Sequence, residues 1–291
     1  MGTDYRLAGV GTRTRTVDVT CAIAQALDVV GDWWSLLVLR DVARGLHRFE
    51  ELRAELSVSR KVLTERLHKL VDHGVLERRR YSDRPPRYEY VLTPLGRGAL
   101  PILAALQDWG DRWLLGDGTV AATTAPGSAE AQRVHGLVGT RVPVLARLEP
   151  VSLQPFTVLY CYPGTQLPDA DRIPGAPGCT LESCTYRDRL HEFAAYGAAV
   201  RGVSTQRPAE QAGFAAAHRI QFPLLSDADL ELTMALRLPT FRAAGTVRLK
   251  RLTLVVDADR TVRGVLYPVP DVTGSVEDAL RLVRDLAAEY A

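Results

Sequence analysis

From residue 19 onward, apolar positions recur every three to four residues in four stretches, 19–30, 32–44, 48–56 and 59–73, and this spacing predicts four helices. In RFEELRAELSVSRKVLTERLHKLVDHGVLERR, Leu52, Leu56, Val62, Leu63, Leu67 and Leu70 fall on one inward stripe, Ser59 stands where an N-cap belongs, and Gly74 ends the second helix. The period then shortens to two. In VLERRRYSDRPPRYEYVLT two alternating stretches flank Asp83-Arg84-Pro85-Pro86, which predicts a β-hairpin. Helical spacing returns in GALPILAALQDWGDRWLL, where Leu100, Leu103, Leu106, Trp109 and Trp113 form an apolar stripe suited either to the chain's own core or to a partner helix.

The next segment, GDGTVAATTAPGSAEAQ, has almost no large apolar residue and is the expected flexible linker. Beyond it PFTVLYCYP, AAVRGVS, FPLLSD, RLTLVVD and VRGVLYPV are β-branched runs, the first four separated by helical patterns. That alternation predicts a mainly parallel sheet covered by helices, closed by an amphipathic helix over SVEDALRLVRDLAAEY. The division is a tail (1–17), an α-rich domain (18–116), a linker (117–132) and an α/β domain (133–291). The tail is polar, and no strand precedes its GVG, so it reads as mobile rather than as a phosphate loop.

At 291 residues and 46% hydrophobic content, the chain can bury two cores. The net charge of +2 hides an uneven distribution: residues 1–116 carry 18 Lys/Arg against 15 Asp/Glu, and residues 117–291 carry 18 against 19. No run of about 18 apolar residues exists, and the N-terminal stretch lacks the apolar core of a signal peptide, so no membrane segment and a cytoplasmic location are expected. In a reducing compartment, four cysteines are better suited to redox work than to structural crosslinks. No CxxC and no Cys/His cluster occurs, so neither metal nor cofactor is expected, and the six scattered histidines receive no role.

The helical pair and hairpin have the grammar of a winged helix-turn-helix. Ser59, Arg60, Lys61, Thr64 and Glu65 open the second helix on its outward side, where they can meet base edges and phosphates. Arg78, Arg79, Arg80, Arg84 and Arg87 concentrate guanidinium groups on the hairpin, suited to phosphates and a narrow minor groove. CAIAQALDVVG, WWSLLVLRDV, RFEEL, SRKVLTERLHKLVDHGVLERR, PPRYEYVLT and PLG, in that order from Cys21 to Trp113, resemble the HxlR-type winged-helix regulators, close to the MarR group. Trp33 departs from the basic residue usual there. The resemblance implies a double-stranded operator with an inverted repeat. It also implies a homodimer clamped by the first and last helices of the domain, with half-sites about 34 Å apart. Cys21 stands where several such regulators keep a redox-sensing cysteine; its other reading is a small buried apolar residue.

In GAPGCTLESCTYRDRLHEFAAYG a Pro-Gly turn delivers Cys179 to a helix start, where unpaired N–H groups and the positive dipole end favour thiolate. YCYPG, PGCTLESCTYRD, YGAAVRGVS, FPLLSD and KRLTLVVD resemble the bacterioferritin-comigratory peroxiredoxins, thioredoxin-fold proteins of the AhpC/TSA group, over about residues 134–289. The resemblance implies a peroxidatic Cys179, a resolving Cys184, and Arg251 holding the thiolate and polarising peroxide, with an external thiol as reductant. Two helical positions five apart differ by about 7.5 Å of rise, about 140° of rotation and about 8–9 Å between Cα atoms. A disulfide needs less than about 7 Å, so forming it would unwind the start of the helix.

One departure concerns the hydroxyl that the family places three residues before the peroxidatic cysteine and the proline seven before it. This chain has Ala176 and Arg172 there, with Pro163 as the displaced proline and TQLPDADRI following within an insertion. Losing the hydroxyl costs on the order of one to two kcal/mol of transition-state binding. Cys161, on a central strand, reads as buried packing. The first expectation is therefore a redox-responsive transcription regulator. Two alternatives stay open: a thiol peroxidase tethered to a DNA-binding domain, and a degenerate peroxiredoxin fold used for docking or dimerisation.

Overall fold

The structure is a computed structural model that describes residues 20–289. The tail read at 1–17 lies outside the described residues. In the first half α1 (Ala22–Val30), α2 (Trp33–Ala43), α3 (Phe49–Leu56) and α4 (Arg60–Asp72) precede β1 (Leu76–Asp83) and β2 (Pro86–Leu92). Then follow α5 (Pro94–Arg97) and α6 (Leu100–Trp113). Ser59 caps α4 by accepting from the Val62 N–H at 3.3 Å. Leu52, Leu56, Leu63, Leu67 and Leu70 are buried as the spacing requires, while Val62 is half-buried at the edge. β1 and β2 form the antiparallel wing. The α6 stripe divides: Leu100 and Leu103 enter the core of their own domain, while Leu106, Trp109 and Trp113 stay exposed, as do Ile23 and Leu27 on α1.

The second half comprises α7 (Ala129–His135), β3 (Phe156–Cys161), α8 (Cys179–Asp188), α9 (Leu190–Ala195), β4 (Ala198–Ser204), α10 (Pro208–His218) and β5 (Leu224–Ser226). It continues with α11 (Glu231–Leu236), β6 (Thr240–Ala243), β7 (Thr246–Leu249), β8 (Leu252–Asp257), β9 (Val262–Leu266) and α12 (Val272–Glu289). The sheet order is β5-β4-β3-β8-β9. β3 pairs with β4, and β4 with β5, in parallel, but β3–β8 and β8–β9 are antiparallel, so the sheet is mixed and not mainly parallel. The reason is connection length: the short turn between Asp257 and Val262 permits only a hairpin, whereas β3 to β4 has room for a helical crossover. Side chains of β3 alternate between two cores. Phe156, Val158 and Tyr160 face α8, α9 and α12; Leu159 and Cys161 face the side covered by α7 and α11.

The segment expected to be a flexible linker is packed instead. Ala122 is fully buried with Leu167, Ala176, Phe241 and Ala243, and α7 starts at Ala129, inside the range assigned to the linker. Small size, which reads as flexibility in a sequence, is what lets this backbone lie against another loop.

The two halves also share a core. Leu230 and Met234, at and within α11, and Val247 on β7 join the apolar cluster of the first domain. Arg133 on α7 makes a two-pronged ion pair with Asp111 on α6, both bonds 2.7 Å, and Gln107 donates to the Leu238 carbonyl at 2.8 Å. Asp227 seats α11 by accepting from the Leu232 and Thr233 N–H groups.

Candidate redox site and DNA-binding face

Cys179 is the first residue of α8, and the turn before it ends on Gly178 at φ 98°, with Val272 packed behind the Cα. A side chain at 178 would adopt a strained left-handed backbone and press on Val272, so glycine is what delivers the cysteine to the helix start. Arg251, immediately before β8, is completely buried and reaches the same loop. Its Nη2 donates to the Pro177 carbonyl at 3.0 Å and the Ala176 carbonyl at 3.3 Å, and stands 3.4 Å from the Cys179 sulfur. One guanidinium thus ties the turn and the thiol together.

The carboxylate that balances Arg251 is Glu182, one helical turn beyond Cys179 and equally buried. Its place in GCTLESC puts it on the same helix face as the cysteine, three positions on, and that spacing was the available signal for it. Burial raises the Glu182 carboxyl, and Arg251 pulls it back. Burial likewise raises the Cys179 thiol, against the lowering pull of Arg251 and with Glu182 adding to the rise. Cys179 is 5% exposed, and its sulfur lies 3.6 Å from the Ala176 carbonyl as a donor to it. Burial therefore works against the thiolate that the helix N-terminus favours, and Arg251 works for it.

Cys184 lies on the same helix, half-buried, with Arg187 Nη1 3.6 Å from its sulfur. Both cysteines are free and both are helical, so they stay five helical positions apart. Ala176 packs under Ala122 and Phe241, so where the peroxiredoxin resemblance calls for a hydroxyl this chain has an apolar contact. Cys161 is fully buried and its thiol is pushed far up by burial, as inert packing requires. Cys21 is the N-cap residue of α1, half-buried, its carbonyl accepting from the Gln25 N–H at 3.0 Å and its side chain making no capping hydrogen bond.

On the other half, Ser59, Arg60 and Lys61 are exposed at the start of α4, and Thr64 is half-buried. Arg60 is engaged by Glu50 at 2.7 Å. The wing arginines are all exposed but not equivalent. Arg78 stacks on Tyr88, Arg79 pairs with Glu77 at 2.9 Å, and Arg80 holds the turn through the Ser82 and Asp83 carbonyls. Arg84 and Arg87 are exposed and have no such side-chain partner among the described residues. Among the described residues no group of His, Cys, Asp and Glu has the arrangement to hold a metal ion, and no single helix is long and apolar enough to cross a membrane.

Residues 29–117 match the HxlR-like helix-turn-helix family, and residues 156–265 match the AhpC/TSA family. An HTH-type transcriptional regulator of Synechocystis is 41% identical over 95 residues, which cover 32% of this chain and 70% of that one. The chain belongs to the HxlR-like family and carries an AhpC/TSA domain. An HTH-type regulator of Mycobacterium tuberculosis is 40% identical over 93 residues, 32% of this chain; the chain spans 59% of that relative's length. Peroxidoxin BcpB of M. tuberculosis is 33% identical, with a TM-score of 0.39, over 45% of this chain and 79% of that one. The Xanthomonas campestris bacterioferritin comigratory protein is 26% identical, with a TM-score of 0.39, over 45% and 80%. In the HxlR-like half the wing and α4 present the outward face described above; in the AhpC/TSA half Cys179 and Arg251 meet at the α8 start.

Proposed function

We propose that the protein is a DNA-binding regulator whose affinity for its operator is set by the oxidation state of Cys179. The observation that carries this reading is the convergence of Arg251 on the Cys179 sulfur and on the turn that must open for Cys184 to reach it. Deprotonated Cys179 attacks the O–O bond of a peroxide; the sulfur becomes a sulfenic acid and the distal oxygen leaves as an alcohol or water. The Cys184 thiol then displaces water from the sulfenic acid to give the disulfide, and an external thiol resets it. No cofactor enters these steps.

A buried thiol, raised by desolvation, that lacks the usual neighbouring hydroxyl suits occasional oxidation better than rapid turnover, which favours sensing over a peroxidase role. The shared core of the two halves supplies the route by which one can affect the other. A homodimer through α1 and α6 is supported by the exposed Ile23, Leu27, Trp109 and Trp113. The wing and α4 supply the DNA contacts, on an inverted repeat in double-stranded DNA.

The test is binding to DNA from the protein's own upstream region, reduced and peroxide-treated, for wild type and Cys179→Ser. A wild-type shift of fivefold or more that is absent from Cys179→Ser supports the reading. Equal affinity in all four samples overturns it, and steady peroxide consumption with a recycling thiol at unchanged affinity replaces it with a tethered peroxidase.

A further inference from the structure

The redox site is completed by residues outside the AhpC/TSA match. Ala122, in the stretch between the two domains, donates its N–H to the Pro174 carbonyl at 2.8 Å and accepts from the Arg251 N–H at 3.3 Å. It therefore bridges the loop that leads into Cys179 and the backbone of the arginine that holds the sulfur. Its neighbour Thr123 fills the space beside Gly175, where a Cβ would come within 2.8 Å of the threonine side chain, and Lys250 donates to the Thr123 carbonyl at 3.3 Å. Beneath lies the apolar contact of Ala122 with Ala176 and Phe241.

Four residues upstream the same stretch is tied to the DNA-binding half. Gly118 donates to the Arg112 carbonyl at 2.9 Å, Arg112 Nε donates back to the Gly118 carbonyl at 2.6 Å, and the Trp113 ring covers the Gly118 Cα. Arg112 and Trp113 form the last turn of α6, the helix whose outer face bears Trp109 and Trp113. Four residues reach at most about 14 Å when extended, and both ends of this stretch are held, so there is little slack in it.

We infer that residues 118–123 are a strap that positions Arg251 and the Cys179 loop in the reduced protein, and that opening of the loop on disulfide formation releases the strap from the end of α6. The inference rests on the proposed redox reading and names its route. The chemistry is the peroxide oxidation already written. Its mechanical consequence follows from the geometry: pulling Cys179 toward Cys184 moves residues 174–178, and these carry the carbonyl that binds Ala122, the Ala176 methyl beneath it and the glycine against Thr123. Their departure leaves the Ala122 amide without its Pro174 partner, so the stretch is no longer held at both ends and only the bonds to Arg112 keep the Gly118 turn in place.

Amide hydrogen exchange on the full-length protein reads this directly at Ala122, Arg251 and Gly118, whose N–H groups are the bonded ones. On peroxide treatment of the wild type, exchange at these amides is expected to rise at least tenfold, with no change in Cys179→Ser, while DNA affinity measured on the same samples shifts. A shifted affinity with the three amides still protected overturns the strap and leaves the redox reading intact. A disulfide found by mass spectrometry with unchanged affinity overturns the redox reading and, with it, the strap's role. Ala122→Asp, which places a charge in the buried contact, is expected to give reduced protein the DNA affinity of the oxidised wild type. Should that variant fail to fold, the wild-type exchange measurement still decides.

Discussion

The guanidinium of Arg251 and the sulfur of Cys179 are held 3.4 Å apart although 72 residues separate them in the chain. The same arginine grips the two carbonyls before the cysteine, so the group that stabilises a thiolate also closes the loop that buries it. Because burial is the largest influence on Cys179, its thiol titrates above the ordinary value of about 8.5. Alkylation of Cys179 by iodoacetamide is thus expected to keep accelerating above pH 9. Arg251→Gln removes the lowering influence and is expected to shift that profile further up and slow sulfenic acid formation about tenfold or more. A profile centred below pH 8 contradicts the buried-thiol assignment.

The Glu182–Arg251 pair has no access to water on either side. Glu182→Ala leaves a buried guanidinium uncompensated and is expected to cost about 3–5 kcal/mol in urea unfolding. Glu182→Gln keeps one acceptor and the same shape, and is expected to cost less.

Asp227 gives a pH signature for the helix that joins the two cores. Its carboxyl is pushed up to about 6 by burial, from 3.8, with the α11 N–H groups pulling the other way. Well below pH 3.8 it is protonated in both the folded and unfolded states. Between about pH 4 and 6 the unfolded chain ionises first, so this group's contribution to stability is lost as pH rises, at up to about 1.4 kcal/mol per pH unit. Urea unfolding of wild type and Asp227→Asn between pH 4 and 7 should converge or diverge with that slope; parallel curves would deny the raised value.

All four tryptophans belong to the first half, so their fluorescence reports that half, while far-UV circular dichroism reports both. With Leu230 and Met234 buried in the first domain's core, the two signals should unfold together in the wild type. Met234→Lys places a charge in the shared core and is expected to separate the two transitions.

Among the described residues Arg84 and Arg87 have no side-chain partner on the wing, whereas Arg79 is occupied by Glu77. Replacing Arg84 or Arg87 by alanine is expected to weaken DNA binding across sequences and to lower the salt slope by about 0.9 for each phosphate that the variant no longer neutralises. Arg79→Ala should change the slope less.

The helix-turn-helix was legible because its information is local: a stripe at helical spacing, a serine cap, a glycine stop and a period-two hairpin each act within a few residues. The cysteine string was legible for the same reason, since a Pro-Gly turn and a helix start are consecutive in the chain. The antiparallel half of the sheet was not, because strand direction depends on how the chain returns, and Leu252–Asp257 has the same composition in either direction. The strap was hidden because its small residues signal flexibility unless something packs on them.

By itself, then, the sequence determined the two domain types, the helix starts and the residues that carry charge and thiol, since these follow from short-range propensity and spacing. Only the tertiary structure decided that Cys179 is buried against Arg251, that Glu182 and Ala122 pack at the same place, and that the two halves share a core. Desolvation and packing depend on residues that are distant in the chain, and no local pattern contains them.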